Sequence, residues 1–221
     1  MQLLSPEERA SKTKVVAKTA FEQALQAYEQ RDFDSAARLA EQADTAEPNQ
    51  PQVLNLRGAI LLEQQKYDEA ERFFKQALKA DPKFREAQFN LADVPFRNKD
   101  YAEARDRFQA LLKQTPGGDK NQAAQLINFR IFLTYLLEGK DSRAQKLMEQ
   151  FQFSGETPAL YYAEAAWEFK HDNARQGERL DHVGTKNLSV SLERPVCSRF
   201  LRSWLAKERD GCFVAEPHRL G

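Results

Sequence analysis

Residues 64–82 read QQKYDEAERFFKQALKADP, and this pattern recurs on both sides of them. Residues 30–48 read QRDFDSAARLAEQADTAEP, and residues 98–116 read NKDYAEARDRFQALLKQTP. The three segments begin 34 residues apart, and each one ends in proline. A fixed period of this length indicates repeated supersecondary units that stack on one another, so the period determines the fold class.

Three columns of residues keep the same position in every copy. They are an aromatic column of Phe33, Tyr67 and Tyr101, a small-residue column of Ala24, Gly58 and Ala92, and a second small-residue column of Ala36, Ala70 and Ala104. Glu, Gln, Lys, Arg, Ala and Leu dominate the first two thirds of the chain, which favours helix. We therefore predict two antiparallel helices per copy, closely packed at the small residues, with the aromatic residue filling the corner between them. Asp32 and Asp100 are predicted N-caps of the second helix.

The pattern resembles the tetratricopeptide repeat (TPR) family over roughly residues 17–116. The resemblance implies an all-α fold, a right-handed α-solenoid of stacked antiparallel helix pairs with about four to five units. The predicted divisions in this part of the chain are an N-terminal lead-in helix at 1–16 and repeats at 17–50, 51–84 and 85–118. Pro95 departs from the pattern, and we expect it to kink or shorten the first helix of the third repeat.

The repeat continues less regularly after a predicted loop at residues 115–120. Apolar residues at helical spacing, followed by Ala144 in a small-residue position, predict a degenerate fourth unit at 121–155. A proline at the start of the next segment opens the first helix of a fifth unit, at 158–177. Residues 178–221 have neither a helical nor a strand period, and they are predicted to form an irregular tail.

The tail has two explanations. It is an irregular segment in its native reading frame, or a one-nucleotide frame change near residues 177–180 replaced the last half-repeat with unrelated sequence. We favour the frame change, because back-translation of residues 180–189 in the neighbouring frame can encode an amphipathic helix that ends in proline. Loss of that half-repeat would expose apolar surface on the helix that carries Tyr161, Tyr162 and Trp167, and would favour self-association through this C-terminal helix. The nucleotide sequence of the gene decides between the two explanations.

The residues that carry chemistry predict neither an active site nor a metal site. The histidines are His171, His182 and His218, and the cysteines are Cys197 and Cys212. Their spacing contains no His-x-x-x-His, His-Glu-x-x-His or Cys-x-x-Cys pattern, so we predict no metal and no cofactor. We assign no catalytic residue and expect that the protein is not an enzyme, which only a further downstream domain would change.

Composition predicts neither nucleic-acid binding nor a membrane span. Lys plus Arg and Asp plus Glu are equal at 33 each, and the basic residues form no continuous stripe. The longest apolar stretch, residues 127–137, is interrupted by Asn128 and Arg130 and is shorter than the roughly 20 residues that cross a bilayer. The N-terminus has no basic region followed by an apolar core, so we expect a cytoplasmic protein, or a periplasmic or secreted one if a signal has been lost.

The resemblance to TPR proteins implies a concave groove lined by the first helix of each unit. The candidate groove residues are Lys18, Phe21, Leu25 and Tyr28 from unit one, Gln52, Asn55, Ala59 and Leu62 from unit two, and Glu86, Phe89, Asp93 and Arg97 from unit three. Phe21, Leu25, Tyr28 and Leu62 would supply an apolar strip, and Asn55 and Asn90 could bond a peptide backbone. In the alternative interpretation, Phe21 and Leu25 pack against the preceding N-terminal segment.

The leading hypothesis for function is a non-catalytic scaffold or adaptor that binds a peptide or partner helix in this groove. Some TPR proteins hold the C-terminal carboxylate of chaperones in a clamp of Lys, Asn and Arg. Here the matching columns of the first unit carry Phe21 and Leu25, so we expect an apolar ligand instead. The alternative is a structural or assembly factor of a larger or cell-envelope complex, which a stable oligomer would favour.

Overall fold

The computed structural model describes residues 5–117, 121–153, 158–171, 173 and 175–180. This part of the chain is helical apart from turns and short connections, and it contains no strand. The helices are α1 Pro6–Glu29, α2 Phe33–Ala46, α3 Pro51–Glu63, α4 Tyr67–Ala80, α5 Arg85–Arg97, α6 Tyr101–Gln114, α7 Gln122–Leu137, α8 Asp141–Phe153 and α9 Pro158–Lys170. The predicted all-α fold class is therefore confirmed. The frame-change hypothesis concerns residues that lie almost wholly outside the described ones.

The chain divides into two compact units, unit 1 at Met1–Gln114 and unit 2 at Thr115–Gly221. In unit 1 the helices pack as consecutive antiparallel pairs. Ala20 of α1 clusters with Ala43 near the end of α2, whereas Ala24 and Ala27, farther along α1, cluster with Ala36 near the start of α2. Contacts that run in opposite directions along the two helices are those of an antiparallel pair. The predicted small-residue columns lie at these contacts.

Gly58 shows how close the two helices of one pair come. A Cβ atom built on this residue would lie 2.6 Å from Cε1 of Phe74, whose ring is fully buried between α3 and α4. Such a distance is shorter than van der Waals contact allows, so any larger residue would displace the ring. The predicted role of Gly58 in close helix packing is therefore confirmed.

The connection inside each pair repeats one geometry. Arg31, Gln65 and Lys99 adopt φ angles of 64°, 62° and 65° immediately after α1, α3 and α5. This left-handed backbone turns the chain so that the next helix can begin. Asp32 and Asp100 then accept hydrogen bonds from backbone N–H groups three residues later, at 3.1 Å and 3.0 Å. The two predicted N-caps are therefore confirmed.

The aromatic column fills the corner after each turn. The rings of Tyr28 and Phe33 meet edge to face at 5.8 Å, and those of Phe96 and Tyr101 do so at 5.7 Å. Tyr67 packs against the corresponding buried cluster of the second pair. Each corner therefore joins the end of one helix to the start of the next, as the sequence columns predicted.

Helix α5 is not shortened by Pro95. It has 13 residues, as α3 has, so of the two predicted effects, a kink or a shortening, the shortening does not occur. A proline cannot donate to the carbonyl group four residues earlier, which here belongs to Leu91. Nη1 of Arg107, from α6, donates to that Leu91 oxygen at 3.0 Å. The neighbouring helix therefore replaces the hydrogen bond that Pro95 removes.

The interior of unit 2 is rich in aromatic side chains. Phe129 and Phe132 of α7 are buried, and their rings lie 6.1 Å from Tyr162 and 6.3 Å from Phe151, respectively. Nζ of Lys170, at the end of α9, donates to the carbonyl oxygen of Leu136 at 2.6 Å. These contacts hold α8 and α9 against α7.

Helix α9 buries more of its aromatic surface than the sequence predicted. Tyr162 is buried, so the prediction of an exposed apolar face is wrong for this residue, while Tyr161 and Trp167 are half-buried. Residues 175–180 form a further helical segment, and Gly177 within it lies close against the ring of Phe169. Part of the α9 surface is therefore covered by the chain that follows it.

Candidate functional site

The predicted groove residues of unit 1 lie on three neighbouring helices, α1, α3 and α5. Nδ2 of Asn90 donates to Oδ1 of Asn55 at 2.9 Å, which joins the middle of α5 to α3. Nη2 of Arg97 donates to Oε1 of Glu63 at 3.1 Å, which joins the ends of the same helices. Both pairs are about one repeat period apart in sequence, so equivalent positions of successive first helices lie side by side.

The predicted residues differ in their exposure. Lys18, Leu25, Gln52 and Glu86 are exposed; Phe21, Tyr28, Asn55, Ala59, Phe89 and Arg97 are half-buried; Leu62 and Asp93 are buried. Leu62 is 6% exposed because it packs with Ala70, Phe74 and Val94, and Asp93 is 5% exposed. These two residues belong to the interior of unit 1. We call the surface formed by the other ten residues, together with the half-buried Asn90, the α1–α3–α5 face.

The first part of α1 leaves this face open. The predicted lead-in helix and the first helix of the first repeat are one continuous helix, Pro6–Glu29. A capping box at Ser5 and Glu8 begins it, with bonds of 3.2 Å and 2.7 Å between side chain and backbone. A continuous helix cannot fold back over its own side chains, so its N-terminal part does not cover Phe21 and Leu25. Leu25 is accordingly 37% exposed.

One end of the α1–α3–α5 face carries a cluster of charged groups around Glu63. Its carboxylate lies 3.1 Å from the guanidinium group of Arg97 and 3.7 Å from that of Arg31. The hydroxyl of Tyr28 lies in the same environment, where burial, followed by the Glu63 charge, raises the pKa of Tyr28 to about 12. Tyr28 is therefore neutral at physiological pH and can donate one hydrogen bond.

The sequence prediction did not include Glu63 and Arg31. A signal for the first was present, because Glu63 precedes Arg97 by 34 residues and therefore occupies the same position of the preceding unit. Arg31 lies outside the helices, at the left-handed turn after α1. Only the geometry of that turn brings its guanidinium group to Glu63, and a helical pattern does not predict it.

The middle of the α1–α3–α5 face is an amide pair. Asn55 and Asn90 are both half-buried. A single hydrogen bond joins them, with an N–H group of Asn90 as the donor and the side-chain oxygen of Asn55 as the acceptor. Each primary amide has two N–H donors and one carbonyl oxygen with two lone pairs. Whichever amide donates, donors and acceptors remain on this pair beyond the bond that joins it. The face therefore combines apolar side chains on α1 with hydrogen-bonding groups on α3 and α5.

Other polar residues of the described chain form structural contacts. Nε2 of His171 lies 3.5 Å from a carboxylate oxygen of Asp141, and its ring lies 4.2 Å from that of Trp167. Among the described residues, no group of three or more His, Cys, Asp or Glu is placed to hold a metal ion. No helix in the described part of the chain is long and apolar enough to cross a membrane. Cys197, Cys212, His182 and His218 lie outside the described residues.

Comparison with known proteins agrees with this geometry. The model of the tetratricopeptide repeat family matches residues 21–83 and 60–119. The chain is a tetratricopeptide-repeat protein. A search of the curated proteins finds no match. The repeat match covers α2 to α6 and the last part of α1, from residue 21 onward.

Solved TPR structures share the fold at low sequence identity. A tetratricopeptide repeat protein from Parabacteroides merdae has a TM-score of 0.65 and 17% identity, covering 86% of this chain and 71% of its own. A thermophilic TPR protein of Thermus thermophilus has a TM-score of 0.61 and 15% identity, covering 86% and 97%. The TPR2B domain of yeast Sti1, in a complex with pHsp70, has a TM-score of 0.50 and 19% identity, covering 56% and 98%. At these identities the likeness establishes the fold alone.

Proposed function

We propose that this TPR protein is a non-catalytic interaction scaffold that binds a peptide or a partner helix on the α1–α3–α5 face. The observation that carries the proposal is the apolar strip on α1, which the described residues leave partly exposed. Leu25 is exposed, and Phe21 and Tyr28 beside it along the helix are half-buried. Phe21 and Tyr28 also pack against the buried cluster of unit 1, so the part of the strip available to a partner's apolar side chains is Leu25 and the exposed edges of these two rings.

The rest of the face fits the same use. The amide pair of Asn55 and Asn90 offers hydrogen bonds next to the apolar strip, and a few polar groups beside an apolar surface give a binding site its specificity. The TPR2B domain of yeast Sti1, which has a related fold, forms a complex with pHsp70. That complex supports a binding role for the fold, and it does not identify a partner.

The test is a tagged pull-down with mass spectrometry that compares the parent chain with a Phe21→Glu/Leu25→Glu variant. Two carboxylates placed on the apolar strip should remove a groove-bound partner, because a buried unpaired charge costs several kcal/mol, on the order of a hundredfold or more in affinity. The matched control is Gln23→Glu/Gln26→Glu, which adds the same charge to exposed residues of α1 outside the strip. Circular dichroism verifies that every variant is helical.

Partners retained by the control and lost by the strip variant are the expected result. The proposal is wrong if all three proteins recover the same set. It is also wrong if the strip variant alone unfolds while milder Phe21→Ser/Leu25→Ser changes, which keep the helix, leave every partner in place.

An assembly role is the second candidate, and it has an observation of its own. Val15 and Val16 are 62% and 54% exposed, and with Leu25 they are the exposed large apolar side chains of the described chain. All three lie on α1, so the apolar surface of this first helix could pair with another molecule. Light scattering should then show an oligomer that Val15→Lys/Val16→Lys dissociates. A monomer at all concentrations would remove this candidate.

A further inference from the structure

We infer that the α1–α3–α5 face takes an internal, extended segment of a polypeptide and does not require a free chain end. The inference rests on the proposed function and specifies the ligand of the same face. Two independent features lead to it. One is that Arg97 of the face and the neighbouring Arg31 are already paired with Glu63, and the other is that the central amides of the face match the groups of a peptide backbone.

The guanidinium groups near the face are bound by the chain's own carboxylates. Arg97 and Arg31 both lie against Glu63, at 3.1 Å and 3.7 Å, and Arg31 also lies over the ring of Phe33 at 5.2 Å. A ligand carboxylate at this end would have to displace Glu63 or lie beside its negative charge. Displacing Glu63 breaks existing ion pairs, and binding beside it places two like charges together, so either choice costs free energy.

The remaining cation of the face cannot form a clamp. Lys18 is exposed, and its ammonium group lies 3.9 Å from the carboxylate of Glu22 on the same helix. A single solvated ammonium group beside a carboxylate binds an anion weakly, since solvent screens both charges. Beyond the paired Arg97, the described side chains of this face do not offer convergent cationic donors, which hold a carboxylate through charge-assisted hydrogen bonds.

The amide pair suits a backbone in the middle of a chain. Asn55 and Asn90 retain a donor and an acceptor beyond the bond that joins them at 2.9 Å. An extended residue presents one N–H and one C=O group, and each finds a complementary group on the pair. Every internal residue other than proline carries both groups, whereas the terminal residue of a chain has a charged group in place of one of them. The exposed Leu25 and half-buried Phe21 would then contact the apolar side chains of the segment.

The experiment uses a random peptide library in two display formats. In one, each peptide lies between two folded domains and has no free terminus; in the other, each peptide ends in a free carboxylate. Both libraries are selected on the full chain, and enriched peptides are counter-selected on the Phe21→Glu/Leu25→Glu variant. Enriched sequences are then synthesised with either a C-terminal amide or a C-terminal carboxylate, and their Kd values are measured.

We expect enrichment in the internal format, and Kd values of amide and carboxylate peptides within about twofold of each other. Asn55→Asp keeps the size of the side chain and its bond to Asn90 but removes donors, so it should weaken binding about tenfold. Gln23→Glu/Gln26→Glu, outside the face, should leave the Kd unchanged. Urea unfolding of each variant separates lost binding from lost folding.

The outcomes distinguish failure of the inference from failure of the proposed function. Groove-dependent enrichment only in the free-carboxylate format, or an amide that binds more than about tenfold more weakly, overturns the inference and leaves the proposed function intact. Enrichment that ignores the Phe21→Glu/Leu25→Glu changes, or no enrichment in either format, contradicts the proposed function itself. An unchanged Kd for Asn55→Asp would contradict the assignment of backbone binding to the amide pair.

Discussion

At the scale of single residues, the turns of unit 1 carry a cost that the chain does not avoid. Arg31, Gln65 and Lys99 are L-residues in the left-handed region, where glycine alone is free of steric penalty. Unit 2 has a glycine in such a turn, because Gly139 follows α7 with a φ angle of 70°. Arg31 has a compensating ion pair with Glu63. Gln65 is exposed, which makes it the clearest place to measure this cost.

We predict that Gln65→Gly stabilises unit 1. Removing the Cβ relieves about 1–2 kcal/mol of left-handed strain, and the greater chain entropy of glycine offsets part of it. The net gain should be about 0.5–1 kcal/mol in urea unfolding. Gln64→Gly, one residue earlier at a φ angle of −81°, is the control and should destabilise by up to about 1 kcal/mol. Equal destabilisation by both changes would contradict the assignment of strain to Gln65.

At the scale of helices, α5 and α6 form a compensated pair. The positions of Pro95 and Arg107 carry Leu61 and Phe73 in the preceding repeat, one period earlier. The third repeat thus has a proline where a residue with a backbone N–H group is expected, and an arginine where an apolar residue is expected. The bond from Arg107 to the Leu91 oxygen explains both departures together. Arg107 also reaches Glu71 of α4 at 3.2 Å, so it links three helices.

A double-mutant cycle tests this compensation. Arg107→Leu should destabilise unit 1 by about 1–3 kcal/mol, because the Leu91 carbonyl loses its donor. With Pro95→Leu present, the restored N–H group satisfies that carbonyl and the same change should cost about 1 kcal/mol less. Loss of the Glu71 contact enters both arms equally and cancels. Urea unfolding of the four proteins gives the coupling energy, and a value near zero would mean that the two residues act independently.

At the scale of the whole molecule, the 34-residue period predicted most of the helix packing. Each period is one helix pair, and successive pairs stack on one another through equivalent residues. Gly58 and the aromatic column occupy fixed places between neighbouring helices, so their recurrence in sequence predicts their packing. The period predicted less well which groove residues are exposed on the α1–α3–α5 face. Leu62 occupies a predicted groove position, yet it is buried because it packs against Phe74 of α4 and Val94 of α5.

Features that depend on one turn or one long side chain were not predictable from the sequence. No glycine marks the left-handed turns at Arg31, Gln65 and Lys99, so composition gave no signal for them. The full length of α5 depends on a side chain from the next helix, and a helix-by-helix interpretation of Pro95 omits that donor. The lead-in segment and the first repeat helix merged because neither glycine nor proline separates them.

Stability should be distributed unevenly along unit 1, and hydrogen exchange measured by mass spectrometry tests this. In a linear array each helix pair is stabilised by its neighbours, so α3, which buries six residues between the flanking pairs, should exchange most slowly. The described side chains of residues 5–16 are exposed, so the start of α1 should exchange fastest despite its capping box. Dilution should leave this pattern unchanged in a monomer. Protection of residues 5–16 that disappears on dilution would show instead that Val15 and Val16 are covered by a second molecule, and would favour the assembly role over the isolated scaffold.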